Sequence, residues 1–137
     1  MAHSKFQVEV LTPEGEIFND EVEMISTRTT VGSIGILAHH TPLLAMLDPT
    51  ELRLYKTESE VVRFAQAEGY MQVAENHALL LLEEAYAPSE LDLGDLRDRL
   101  GQAERQLQDA QDDTEQQRVA ERDKLRLEAF IRIAEAA

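Results

Sequence analysis

The chain has 137 residues, room for one domain or a small domain with an appendage, and its 43% hydrophobic and 29% charged residues are ordinary for a globular protein. Thirteen lysines and arginines against 27 aspartates and glutamates leave a formal net charge of −14, which repels phosphate and so excludes sequence-independent binding to nucleic acid or anionic lipid. There is no cysteine, which excludes disulfides and thiolate metal sites; no apolar run approaches the roughly 18 residues a spanning helix needs, and the start lacks the apolar stretch of a signal peptide.

As far as residue 87 the chain reads as short apolar runs separated by turn residues. Phe6, Val8 and Val10 alternate with Gln7 and Glu9, the period of two that marks a half-buried strand. Pro13-Glu14-Gly15 is a turn signal, after which Val22 and Met24 resume the alternation with Ile25 on the other face. The stretch GSIGILAHHTPLLAML, residues 32–47, predicts two strands, 34–37 and 43–47. Their connection carries His39 and His40, and Pro42 holds Thr41 extended. Leu52 and Leu54 alternate with Arg53 and Tyr55, and Thr57-Glu58-Ser59-Glu60 reads as a hairpin turn before Val61-Val62-Arg63-Phe64. Tyr70-Met71-Gln72-Val73 follows, then a turn at Glu75-Asn76-His77. Residues 78–82 are continuously apolar, the pattern of a strand covered on both faces. About ten short strands at this spacing predict an antiparallel β-sandwich.

After Pro88 the period changes. Ser89-Glu90-Leu91-Asp92 offers capping residues, and Leu93, Leu96, Leu100, Ala103, Leu107 and Ala110 recur in steps of three and four, the seam of an antiparallel helix pair. Residues 108–117 are polar and acidic and predict a connection, with Asp113 or Thr114 capping a second helix. That helix's apolar face holds Val119, Ala120, Leu125, Leu127, Phe130, Ile131 and Ile133. One continuous coiled-coil helix is the competing reading, but so short a seam gains by folding back. The expected organisation is a β-sandwich domain over residues 1–87 and a C-terminal antiparallel α-helical hairpin over 88–137. A buried seam leucine contributes about 1.5–3 kcal/mol, whereas ordering each residue costs about 1–2 kcal/mol. Gly94 and Gly101 lower helix propensity further. The hairpin therefore needs a second surface to lie on, the sandwich or another subunit, and two competing surfaces make a switch.

Signals of chemistry are sparse. Adjacent histidines on a strand point to opposite faces and do not chelate one ion; on a loop the geometry is open, and the simpler reading of His39 and His40 is a strand connection. His3 lies near the start and His77 at a turn, and no H-x-x-x-H spacing occurs. There is no Gly-rich phosphate loop, no G-x-S-x-G and no nucleophile with its base. Glu83-Glu84 and Asp112-Asp113 read as solvated charge. Neither a catalytic residue nor a metal site is expected.

The segment Gly32-x-x-Gly35-Ile36-Leu37-x-x-His40-x-Pro42-Leu43-Leu44 resembles the hallmark of the epsilon subunits of bacterial F-type ATP synthase. The likeness continues through Glu68-Gly69-Tyr70-Met71-Gln72-Val73, residues 78–84 and Ser89-Glu90-Leu91-Asp92, in order and spacing, over nearly the whole chain. One departure is Ala38-His39, where the family commonly has Pro-Gly before the histidine; it bears on the shape of that loop.

The resemblance implies a non-catalytic central-stalk (rotor) subunit that couples the gamma subunit to the c ring during proton-driven ATP synthesis. It would sit peripherally at the cytoplasmic face of a bacterial plasma membrane, with no direct lipid insertion. Val31, Gly32, Ser33, His39 and His40 match loops on the edge facing the c ring, where Ser33 and His40 would hydrogen-bond; bracing of its own loop is the alternative for His40. The hairpin can lie on the sandwich or extend along gamma and inhibit ATP hydrolysis. Arg118, Arg122 and Arg126 stand at i, i+4 and i+8 on one helix face and would meet an acidic segment of the catalytic beta subunit in the extended state. Local pairing with Glu115, Glu121, Asp123 and Glu128 is the competing role. Some members bind ATP through an I/L-D-x-x-R-A motif. Leu91-Asp92-Leu93-Gly94 fits it, but Asp95 and Leu96 replace the arginine and the alanine, and a carboxylate repels phosphate, so neither ATP nor another cofactor is expected. The reading from another class is a freestanding sandwich-and-hairpin adaptor for an unrelated protein partner.

Overall fold

In the computed structural model, which describes residues 3–137, the opening alternation becomes strand β1 (Phe6–Thr12), with Phe6, Val8 and Val10 buried. The first two residues of the expected 1–87 unit lie outside the described residues. Nine further strands follow: β2 (Gly15–Val22), β3 (Met24–Thr29), β4 (Gly32–Leu37), β5 (Leu43–Leu47), β6 (Thr50–Tyr55), β7 (Val61–Gln66), β8 (Gly69–Ala74), β9 (His77–Leu82) and β10 (Ala85–Tyr86). They hydrogen-bond in the order β10-β7-β6-β3-β5-β8-β9-β1-β2, with β4 attached to β3.

β3 is the corner of this path. Its first half pairs with β6, from Met24↔Tyr55 to Ser26↔Arg53, while its last residue, Thr29, pairs with Leu47 of β5. The sheet thus curls into two five-stranded layers, β4-β3-β6-β7-β10 and β5-β8-β9-β1-β2, with one core between them. Ile25, Ile36, Leu52 and Leu54 enter that core from the first layer, and Val8, Met71, Val73 and Leu80 from the second. This is the β-sandwich that the alternation predicts. The ladders are antiparallel except β1–β9, which is parallel from Gln7↔His77 to Leu11↔Leu81. A period of two reports which face is buried and not which way a neighbour runs, so the sequence pattern does not reveal this pair.

Two expectations need correction. The apolar run at 78–82 is covered on one face only: Ala78, Leu80 and Leu82 point into the core, while Leu81 is exposed on the outer face of the second layer. The helices cover the first layer instead.

A 3-10 turn (Pro88–Glu90) leads from β10 to α1 (Leu93–Ala110) and α2 (Thr114–Ala136). Carboxylate caps start both helices: Asp92 Oδ1 accepts from the Asp95 N–H at 3.1 Å, and Asp113 Oδ1 from the Gln116 N–H at 3.0 Å. The chain reverses within residues 111–113, with Gln111 at φ 40°, so the hairpin and not the continuous helix is formed. Leu96, Ala103 and Ala110 are buried along the seam against α2, which also packs on β6 and β7. There Leu127, Phe130, Ile131 and Ile133 cluster with Ala65 and Ala67, and the Phe130 ring meets Tyr86 edge-on at 6.0 Å. Leu125 is the second correction: it is 61% exposed. The buried positions from Arg126 to Ile133 span an arc whose centre lies about 140° around the helix from it. Among the described residues no helix is long and apolar enough to cross a membrane.

Candidate functional site

The β3–β4 turn is a braced, outward-pointing tip. The Thr29 hydroxyl accepts from the Val31 N–H at 3.2 Å and donates to the Gly32 carbonyl at 3.0 Å. Gly32 sits at φ 136°, where a side chain is strained. Val31 is thereby held 95% exposed, with Ser33 exposed beside it. The loop carrying His39 and His40 is elsewhere. It leaves the other end of β4, about 20 Å away at the rise of an extended strand, and lies beside the β8–β9 turn. The His39 N–H donates to Asn76 Oδ1 at 2.8 Å, with His39 at φ 65°, and His40 Nδ1–H donates to the adjacent Thr41 carbonyl at 2.6 Å. The structure therefore does not bring Val31, Gly32 and Ser33 to one edge with His39 and His40, because a complete strand separates them. His40 spends one ring nitrogen on its own loop.

The outer face of the second layer carries an uncovered apolar strip. Pairing aligns Met46, Tyr70, Leu81 and Leu11 in one cross-strand row, and Leu44, Gln72 and Leu79 in the next. Leu44 is 73% exposed, and Met46, Tyr70 and Leu81 are also exposed. Single exposed apolar residues are commonplace, whereas here exposed ones stand side by side on three adjacent strands. It faces away from the helices, which lie on the opposite layer.

The three arginines of α2 have different surroundings. Arg118 Nη2 meets Glu115 Oε1 at 2.7 Å, a bond that holds the Glu115 carboxyl below its usual range, and Arg122 meets Asp123 at 3.1 Å. Arg126 is buried: Nη1 donates to Glu84 Oε1 at 3.0 Å, Nη2 donates to Glu68 Oε1, and Nε has no partner among the described residues. Burial works against its charge, yet Glu68 and then Glu84 outweigh this and raise its pKa. No group of three or more metal-ligating side chains is assembled among the described residues.

Residues 5–88 match the family model of the ATP synthase delta/epsilon chain β-sandwich domain. The ATP synthase epsilon chain of Sulfurihydrogenibium sp. is 30% identical over 131 residues, spanning 96% of this chain and 98% of that one. The chain belongs to the ATP synthase epsilon-chain family. As an epsilon chain it is a subunit of ATP synthase and not itself catalytic. Two solved structures share the fold. A chain of the Euglena gracilis mitochondrial ATP synthase, from an OSCP/F1/c-ring structure, aligns with TM-score 0.74 and 22% identity over 96% of this chain and 80% of its own. A chain from a Tetrahymena thermophila mitochondrial ATP synthase central stalk/c-ring structure aligns with TM-score 0.65 and 19% identity over 98% and 99%.

In this epsilon-chain fold the segment compared with the ATP motif is taken up by structure. Asp92 caps α1, Asp95 lies in the first turn beside Arg99 at 3.9 Å, and Leu96 packs into the seam. Two features are hard to find from sequence. The apolar strip is signalled by strands apolar on both faces, 43–47 and 78–82, which equally fit a doubly covered strand. Glu84 sits in a pair that reads as solvated charge, and nothing local tells that its partner lies 42 residues on.

Proposed function

We propose that the chain is a central-stalk rotor subunit of ATP synthase that docks the gamma subunit on the apolar strip of its second layer and meets the c ring with the Val31-Gly32-Ser33 tip. The strip carries this reading: Met46, Tyr70 and Leu81 form an exposed row with Leu44 exposed in the next, all on a rigid sheet, and burying them against a partner repeats the physics of a core. The Tetrahymena neighbour, which comes from a central stalk/c-ring assembly, supports it. Stiffness suits a torque-bearing part, and a close-packed sandwich yields little under load. His39 and His40 belong to the end opposite the tip and are not assigned to the ring. The subunit sits peripherally at the cytoplasmic face of the membrane.

In the same reading the hairpin leaves the first layer to inhibit ATP hydrolysis, with the α2 arginines facing an acidic segment of the catalytic beta subunit. Asp95, where an arginine would hold phosphate, gives the chain no ATP site. The deciding experiment is co-purification of gamma with the Leu44→Lys/Leu81→Lys variant. Loss of gamma with an unchanged melting temperature is expected. Full retention of gamma would overturn the docking surface, and a wild-type chain that captures another protein without gamma would favour the adaptor.

A further inference from the structure

We infer that Arg126 is a latch that fixes the helical hairpin on the sandwich, and that opening it completes the cationic face of α2. From α2 the guanidinium reaches two carboxylates on separate loops of the sandwich, Glu68 between β7 and β8 and Glu84 between β9 and β10. Those loops are tied to each other: the Glu83 N–H donates to the Glu68 carbonyl at 3.0 Å, and the Ala67 N–H to the Glu84 carbonyl at 2.9 Å. The fork therefore grips acceptors whose spacing is fixed by the sheet. Arg126 is itself buried, which strengthens a charge-assisted bond and penalises any charge left alone there.

Two further observations make it a latch and not only a brace. Nε is buried without a partner among the described residues, and leaving the site opens that N–H to water or to an anionic surface. The side chain of Arg126 is 11% exposed, against 64% for Arg118. A docked hairpin thus shows two arginines of the stripe, and a released one shows all three. Docking and full cationic display exclude each other. The consequence for ATP hydrolysis rests on the function proposed above; the latch does not, and is tested on the free chain.

The full chain has no cysteine, so a donor and an acceptor dye attached at Arg63→Cys on β7 and Glu121→Cys on α2 report hairpin separation. Arg126→Met is expected to raise the separated population about tenfold or more with the β-sheet circular dichroism intact, while Arg122→Met leaves it unchanged. Equal separation in Arg126→Met and wild type would overturn the latch. Should Arg126→Met lose the sheet signal, Glu68→Gln/Glu84→Gln takes its place; the same rise is expected, and no rise there would equally overturn the latch. In the assembled synthase Glu68→Gln/Glu84→Gln frees the hairpin with Arg126 intact, so ATPase activity should fall. A freed hairpin with unchanged ATPase would sink the regulatory consequence and leave the latch standing.

Discussion

A methyl group on Gly69 would sit 2.1 Å from the Leu81 carbonyl oxygen and 2.9 Å from the Leu82 Cα, backbone atoms that cannot swing aside. Gly69→Ala is therefore expected to destabilise the chain by about 1–3 kcal/mol, read as a fall in the urea midpoint. An unshifted midpoint would contradict that packing. The Glu68-Gly69-Tyr70 segment is visible in the sequence, but not its reason, since the close approach comes from a strand a dozen residues away. Lys56 and Asp20 are a second case, tying β2 to the β6–β7 loop at 2.9 Å. The Lys56 ammonium, helped by the Glu21 N–H, holds the Asp20 carboxyl below its usual value. A depressed carboxyl stabilises the fold above its unfolded pKa, and the contribution is lost as pH falls through the folded one. Asp20→Asn should melt below wild type at neutral pH, with the gap closing as pH falls below the ordinary aspartate range. A gap that stays constant with pH would remove the ion pair from the explanation.

At the scale of elements, the helical hairpin is legible because its seam repeats every three or four residues, and its caps because Asp92 and Asp113 precede the repeats. Asp113→Ala should cost about 1 kcal/mol, seen as faster amide exchange in the first turn of α2 with the strands unaffected. The arginine stripe is half legible. Each step of four residues advances about 40° around a helix, so a row that faces solvent at Arg118 has turned into the interface by Arg126. Spacing alone fixes a common face and does not say where along that face a neighbour begins. Phe130 anchors the same interface through Tyr86, Ala65 of β7 and Ala67 just beyond it. Phe130→Ala is expected to detach the hairpin while the sandwich keeps its fold, detected as increased proteolysis confined to residues beyond 88. Protection equal to wild type would show that the ring contact contributes little.

For the molecule as a whole, the sandwich holds two unlike outer faces, one under the helices and one bare and apolar. The sandwich core and the helix-covered cluster are separate groups of side chains. A chain ending at residue 88 should therefore still unfold cooperatively and still retain gamma; a broad, non-cooperative melt would show that the helices complete the core. Two stacked layers are predictable from alternation and turn spacing. Which face stays bare is not, because an apolar residue reads alike whether its cover comes from its own chain or from another.

The parallel ladder between β1 and β9 has a consequence for how this protein is born. Val8 must find Ala78, and Val10 must find Leu80, across most of the sandwich sequence. β1 leaves the ribosome well before β9 and must wait for it, and contacts so distant along the chain close slowly. Until residue 82 has emerged, the amino-terminal hairpin lacks the strand that ties it into its layer. The helices follow the strands, and so arrive at a body already shut.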